Sequence, residues 1–519
     1  IYDLPRVKKF EKKYNQEKID KYIQSIEAEL EELDYNDPKD KRKIVSREQK
    51  ISNIKAGIFT TKKEQELIRP INLGSSVDLP ALMYSEEGFH FEVIKNNESG
   101  KPSTDEETLT NLRLTVKKPD SPKAIFLDRL LELRGLEKMY KTYIEGWNEK
   151  VQDDDRLHGR FLIHGTTSGR LSSAEPNAQQ IPKTSVDPNI KLQLKAPKGT
   201  LYIASDFSQA ELRIMAHLSG DETYLNAFNS GQDPHLAIAA TKYHIPYEEA
   251  LKIYEDENHP EHKIWKVRRK QAKQIAFGLI YGIGAKLLAV KLSDPKSGII
   301  VTPEEAQKEM DIFFGQHPKL KTFLKKQEKF LRKNGHLVSL FGRKRRLPQI
   351  YSNDKGEEAY ALRLALNFPC QSAASDMCLF GSILIYYLMR QGKLPSTKSV
   401  CLVHDANYQI TKPENINIWS IYEMWQIYRN PLTKPYFGFQ IDDVTMDMEF
   451  VIGRSMAEEL PFIPGYDYKK MLEPDFSVEE YMEEHKKYKH IPISEYKKRF
   501  NKQMKQYEKD FERTHGMEN

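Results

Sequence analysis

The segment RRKQAKQIAFGLIYGIG, Arg268 to Gly284, leaves the chain around it few ways to fold. Arg269, Lys273, Phe277 and Tyr281 recur every four residues, and a helix turns once per ~3.6 residues, so the four are predicted to lie along one helix face. Ile275, Leu279 and Ile280 give the same helix an apolar face that needs burial. Two cations followed by two rings suit a nucleoside triphosphate: cations meet the phosphates at one end, and flat side chains meet the base and sugar at the other. An amphipathic core helix with a basic start accounts for the stripe as well, and the stripe alone does not separate the two.

A second segment, TLYIASDFSQAELRIMAHLSGD, carries an apolar strand pattern into Asp206 and a helical pattern after it. Asp206 is therefore expected at a strand end, where side chains project into clefts. A third segment, SVCLVHDANYQI, reads as strand, tight turn, strand with His404 and Asp405 at the bend. With the two strands side by side, Asp206 and Asp405 face each other. Carboxylates that close repel unless cations lie between them, and hard oxygen ligands suit Mg²⁺. Each aspartate alone reads as a cap or turn residue; together they have the layout of a two-metal phosphoryl-transfer site.

These segments resemble family A DNA polymerases of the bacterial DNA polymerase I type. DFSQAELRIMAHLSGD is similar to that family's motif A, RRKQAKQIAFGLIYGIG to motif B, and LVHDA to motif C with one departure. INLGSSVDLPALMY, PSTDEETL and LLELRGLEKMYKTYI resemble the thumb, TSGRLSSAEPNAQQIP the palm entry, and RLALNFPCQSAASD a palm helix that touches duplex DNA. The order is the family order, and coverage runs from about Lys18 to Glu458.

The resemblance implies an α+β right-hand fold, with an antiparallel palm sheet and helical fingers and thumb around a DNA cleft. The expected division is a charged helical lead-in over 1–70, thumb over 71–160, palm over 161–225 and 340–460, fingers over 226–339, and a charged helical extension over 461–519. KIDKYIQSIEAELEELD is the helical part of the lead-in, followed by a polar break at NDPKDKRK. The extension reads as a solvated helix packed on the palm, or as an arm for DNA or a partner subunit.

The implied activity is template-directed addition of deoxyribonucleotides to a primer 3′ end, with release of pyrophosphate. Asp206 and Asp405 would hold two Mg²⁺ ions with the backbone carbonyl of Phe207. Arg269, Lys273 and His235 would meet the triphosphate, and Lys273 resembles the residue that protonates the departing pyrophosphate. Phe277 would stack on the incoming base, and Tyr281 would close the pocket beside the templating base. Gln209 and Glu211 follow Asp206 in motif A, with Glu211 filling the space where a ribose would place its 2′-hydroxyl. Phenylalanine at 277 implies discrimination against dideoxynucleotides, relieved by Phe277→Tyr. Arg170, Arg363, Asn367 and Gln371 would meet the minor groove, where acceptors lie in similar places for every correct pair. His404 would hold the primer terminus, and GRKRRLP adds a cationic patch for phosphates.

The departure is Ala406, where the family pattern has glutamate directly after the motif C aspartate. It weakens the negative field at the metal site and keeps open a catalytically silent DNA-binding subunit. A single-subunit RNA polymerase is a third reading, opposed by Glu211. No exonuclease domain fits ahead of the thumb-like sequence, so a separate chain, an accessory subunit or a removed N-terminal portion would supply proofreading.

Composition constrains less. A net charge of +5 permits nucleic-acid binding without demanding it. Three cysteines, Cys370, Cys378 and Cys401, offer neither a disulfide framework nor CxxC metal spacing, which points to a reducing interior. No run of apolar residues reads as long enough to span a bilayer, and no signal peptide is visible, although the chain starts at Ile1 and not at methionine. The expected setting is the cytoplasm of a bacterial or phage-infected cell, with an organelle left open.

Overall fold

The computed structural model describes residues 1–97, 99–116, 118–182, 184, 187–293, 300–429 and 438–486, with 502, 505 and 509 beyond them. Apart from those three, the expected C-terminal extension past 486 lies outside the described residues. The chain divides into two compact units, Ile1–Thr142 with Ser293–Ile300, and Tyr143–Leu292 with Val301–Asn519.

The first unit is helical. Its opening helix, Pro5–Glu31, starts well before the expected stretch, and a second, Pro38–Lys55, begins inside the segment read as a polar break. Asp37 explains the second start, because its side chain accepts from the Lys39 N–H while Pro38 fills the first helical position. Ile23, Ile26 and Ile54 join the two helices in a small apolar cluster. The main core of this unit gathers Leu79, Leu82 and Met83 with Phe89 and Phe126, whose rings stack 4.2 Å apart.

The second unit is built on a five-stranded antiparallel sheet. Its strands are β1 (Leu201–Phe207), β2 (Thr397–Val403), β3 (Ala406–Thr411), β4 (Met448–Gly453) and β5 (Leu460–Pro461), in the spatial order β2-β3-β1-β4-β5. The expected strand, turn, strand at SVCLVHDANYQI is the β2–β3 hairpin. Strand alternation gives the sheet two faces. Leu201, Ile203 and Phe207 enter the large helical core on one side, whereas Tyr202, Ala204 and Tyr408 cluster on the other. Asp206 lies on the second face.

Five helices matter for the site: α1 (Ala210–Ser219), α2 (Pro234–Lys242), α3 (His262–Ile280), α4 (Lys355–Arg390) and α5 (Ile418–Arg429). By length and composition α4 is apolar enough to cross a bilayer, contrary to the reading that no run is, but half of its most apolar window is buried. It carries Ala373, Ala374, Met377 and Cys378 into the main core, as a central helix of a folded unit does. The chain as far as Tyr481 also joins that core, since Tyr481 is fully buried and donates to the Pro461 carbonyl at 2.7 Å.

Candidate active site

Asp206 is the one exposed residue of β1. Directly across from it stand Ala406 on β3 and Glu449 on β4, so the three share one face in a row across adjacent strands. Opposed side chains of this kind have Cβ atoms about 5 Å apart. Asp405 immediately precedes Ala406 at the hairpin bend, which brings the two expected aspartates together. Although open to solvent, Asp206 is crowded by protein, and that desolvation, followed by the fields of Asp405 and then Glu449, pushes its carboxyl up to about 7. A divalent cation would reverse all three effects, so the donor set fits hard, oxygen-seeking ions. Among the described residues no group of three His, Cys, Asp or Glu side chains is arranged to hold a metal. Phe207 turns its ring into the core against Tyr428, at 5.8 Å and 80°, which leaves only its backbone beside Asp206.

The hairpin bend is held from two sides. His404 takes a left-handed φ of 56°, and its N–H donates to Gln179 Oε1 at 2.9 Å. The Gln179 amide also donates to the Leu402 carbonyl, so one side chain spans the turn. Below it, the Asn407 amide donates to the Tyr428 hydroxyl at 2.7 Å, and Asn407 accepts from Ser399 at 2.7 Å. Gln179 has no expected role in the sequence reading; its place in AQQIP beside Arg170's loop is the sole signal.

Gln209 initiates α1 in a left-handed conformation, φ 57°, with its side-chain oxygen buried and without a hydrogen-bond partner among the described residues. Glu211 follows in the first turn and is 8% exposed. Its carboxylate accepts from the Arg170 guanidinium at 2.7 Å and from the Tyr281 hydroxyl at 2.6 Å. Burial and this carboxylate raise the Tyr281 phenol above its ordinary range. Arg170 therefore faces Glu211. Its loop is tied down by Ser375, which donates to the Gly169 carbonyl at 3.1 Å, and Arg343, which lies against Gly169, pairs with Asp376 at 2.7 Å. Gly169 has φ 86°, a left-handed conformation that favours glycine, and a Cβ there would have to displace the Arg343 guanidinium 2.5 Å away.

The cation and ring stripe runs along α3, with Tyr281 just past its last turn. Phe277 and Tyr281 stack at 6.3 Å and 18°, and Lys273 Nζ lies 5.7 Å from the Phe277 ring centre. The core-helix reading also holds: Trp265, Ala272, Ile275, Ala276, Leu279 and Ile280 bury the opposite side. Arg269 pairs with Asp233 at 2.6 Å. His235 sits 5.7 Å from Phe277, 1% exposed, with neither ring nitrogen partnered among the described residues. Burial, offset in part by Asp233 and reinforced by Arg269 and Lys273, lowers His235 to about 4, so it is neutral at working pH.

Gly282 stops α3 with φ 68° and leaves room for Arg363, whose Cα would be 3.2 Å from an added Cβ. The end of the stripe thus abuts α4. On α4 Arg363 is exposed and Asn367 and Gln371 are half-buried, four residues apart, while Ala361, Ala365 and Phe368 pack inward.

The model for DNA polymerase family A matches residues 39–418. This chain belongs to DNA polymerase family A. It is 32% identical over 319 residues to the thermostable DNA polymerase I of Thermus aquaticus, covering 61% of this chain and 35% of that protein. DNA polymerase I of Pseudomonas aeruginosa is 32% identical over 336 residues, covering 64% and 33%. Among solved structures, the POL domain of Pol1 from M. smegmatis, in complex with DNA primer-template and dNTP, is 29% identical with a TM-score of 0.61, covering 75% of this chain and 62% of that one. The chain spans about a third of the length of these curated relatives, and its mixed fold with an antiparallel sheet is that of the family.

Proposed function

We propose that the chain is a template-directed DNA polymerase that extends a primer 3′ end by two-metal phosphoryl transfer. The observation that carries this is Asp206 beside the hairpin bearing Asp405, on a face where burial and the field of Asp405 disfavour the Asp206 charge unless a cation arrives. Two Mg²⁺ ions at these carboxylates and the Phe207 carbonyl would activate the primer hydroxyl and neutralise the departing pyrophosphate. Arg269, Lys273 and His235 bind the triphosphate, and Lys273 supplies a proton to the leaving group. Phe277 stacks on the incoming base while Tyr281 closes the pocket. Glu211, fixed by Arg170 and Tyr281, denies space to a 2′-hydroxyl, with Gln209 at the same turn. Arg170, Arg363, Asn367 and Gln371 test the primer–template pair through its minor groove, and His404 holds the primer end.

In this reading residues 71–160 are thumb, 161–225 and 340–460 palm, and 226–339 fingers. Primer–template DNA and dNTPs are the partners. The setting is the cytoplasm of a bacterial or phage-infected cell, supported by the bacterial origin of the relatives. Ala406 supports a second reading, a silent DNA-binding subunit. Primer extension with Mg²⁺ separates the two: extension that Asp206→Ala abolishes upholds the polymerase, and none by the unaltered chain upholds the silent subunit. Equal use of ribonucleotides would point to an RNA polymerase.

A further inference from the structure

Asp233 sits in the triphosphate end of the stripe, and phosphate binding gives it no obvious place. Its Oδ1 accepts from the Leu236 N–H at 2.7 Å and caps α2, while Oδ2 accepts from Arg269 at 2.6 Å. Both side chains of the pair are about a quarter exposed, 28% for Arg269 and 26% for Asp233, so solvent reaches the contact and exchange is cheap. Beside it the deeply buried His235 ring has no partner for either nitrogen among the described residues, a cost that a ligand donor or acceptor would recover. Lys273, one turn along from Arg269, makes no ion pair among the described residues. An anion is thus already held where a helix N-terminus and a guanidinium converge, which is phosphate-binding chemistry.

We infer that Asp233 is an exchangeable counter-ion, occupying Arg269 in the nucleotide-free enzyme and yielding it to the triphosphate of the incoming nucleotide. The inference rests on the proposed polymerase reading. Asp233 then lowers nucleotide affinity uniformly, and the release of its ion pair is part of the cost of binding. Its cap role is separable, because asparagine and serine cap helices as well as aspartate does.

The test is titration of the next correct dNTP into the full chain bound to a dideoxy-terminated primer–template, with thermal melts as a folding control. Asp233→Asn and Asp233→Ser should each tighten the dNTP Kd, by about threefold for a partly exposed pair, and Arg269→Ala should loosen it. Unchanged or weaker binding in both Asp233 variants would overturn the inference and make Asp233 a residue that positions Arg269. If Arg269→Ala leaves the Kd unaltered, the assignment of the stripe to the triphosphate fails first, and the role of Asp233 falls with it.

Discussion

Asp206→Asn should make the protein more stable above neutral pH, and the gain follows from the geometry of the sheet. Burial and the neighbouring Asp405 and Glu449 push the Asp206 carboxyl from 3.8 to about 7. A carboxyl that binds its proton more tightly folded than unfolded costs stability once the unfolded chain ionises. The deficit opens near pH 4, grows with pH, and is complete above pH 7. Three pH units correspond to about 4 kcal/mol before screening, and exposure to the cleft cuts this to roughly 1–2 kcal/mol. Asparagine keeps the shape without the charge. For a unit of a few hundred residues the expected rise in Tm is about 2 °C at pH 8, and less than half of that at pH 5. Mg²⁺ at pH 8 should raise the Tm of the unaltered chain more than that of Asp206→Asn, because the ion supplies the missing counter-charge. Urea unfolding and thermal melts from pH 5 to 9, with and without Mg²⁺, give the comparison. A gain of equal size at both ends of the range, or a loss at pH 8, would refute the electrostatic account of the site.

Glu211→Ala should raise ribonucleotide relative to deoxyribonucleotide incorporation at least tenfold and cost about 2 kcal/mol, since it strands the Arg170 guanidinium and the Tyr281 hydroxyl; single-nucleotide incorporation with urea denaturation checks both, and an unchanged ratio removes Glu211 from sugar selection. Ala406→Glu adds a second carboxylate opposite Asp206 to the one that Glu449 already presents, so Mg²⁺ should bind more tightly and extension should be similar or faster; a large loss would mean that the hairpin does not present this position to the cleft. Gln179→Ala removes both hydrogen bonds across the β2–β3 turn; kcat should fall about tenfold with the dNTP KM little changed, as about 1.4 kcal/mol of lost positioning dictates, and a change in KM alone would place Gln179 elsewhere.

Local periodicity made the hairpin, the strand into Asp206 and the α3 stripe readable, because each depends on spacing within about twenty residues. The second helix of the first unit was missed for a local reason too: Asp37 and Pro38 look like a break until the cap they form is recognised. Other features are non-local. Glu449 reaches Asp206 through pairing of β1 with β4, strands some 240 positions apart in the chain. Gln179 meets the hairpin across 225 positions, and Asp233 meets Arg269 across 36. No hydrophobic pattern links such pairs, since the polar residues involved carry no period of their own.

Glu211 shows what that blindness conceals. On a helical wheel a glutamate in the first turn belongs at the surface, and its charge there favours the helix N-terminus. Burial to 8% exposure becomes tolerable only because two donors arrive from remote segments, Arg170 41 positions before it and Tyr281 70 positions after. The guanidinium and the hydroxyl satisfy the buried carboxylate, and removing either donor leaves its oxygens short of partners. Tyr281 is also the residue at which α3 ends. The carboxylate proposed to select the sugar is therefore hydrogen-bonded to the end of the helix proposed to grip the triphosphate. A rotation of α3 large enough to break the 2.6 Å contact would free Glu211 to reorient. The proposed sugar selection and the proposed triphosphate binding would thus be coupled through one hydroxyl, a linkage that neither motif contains by itself.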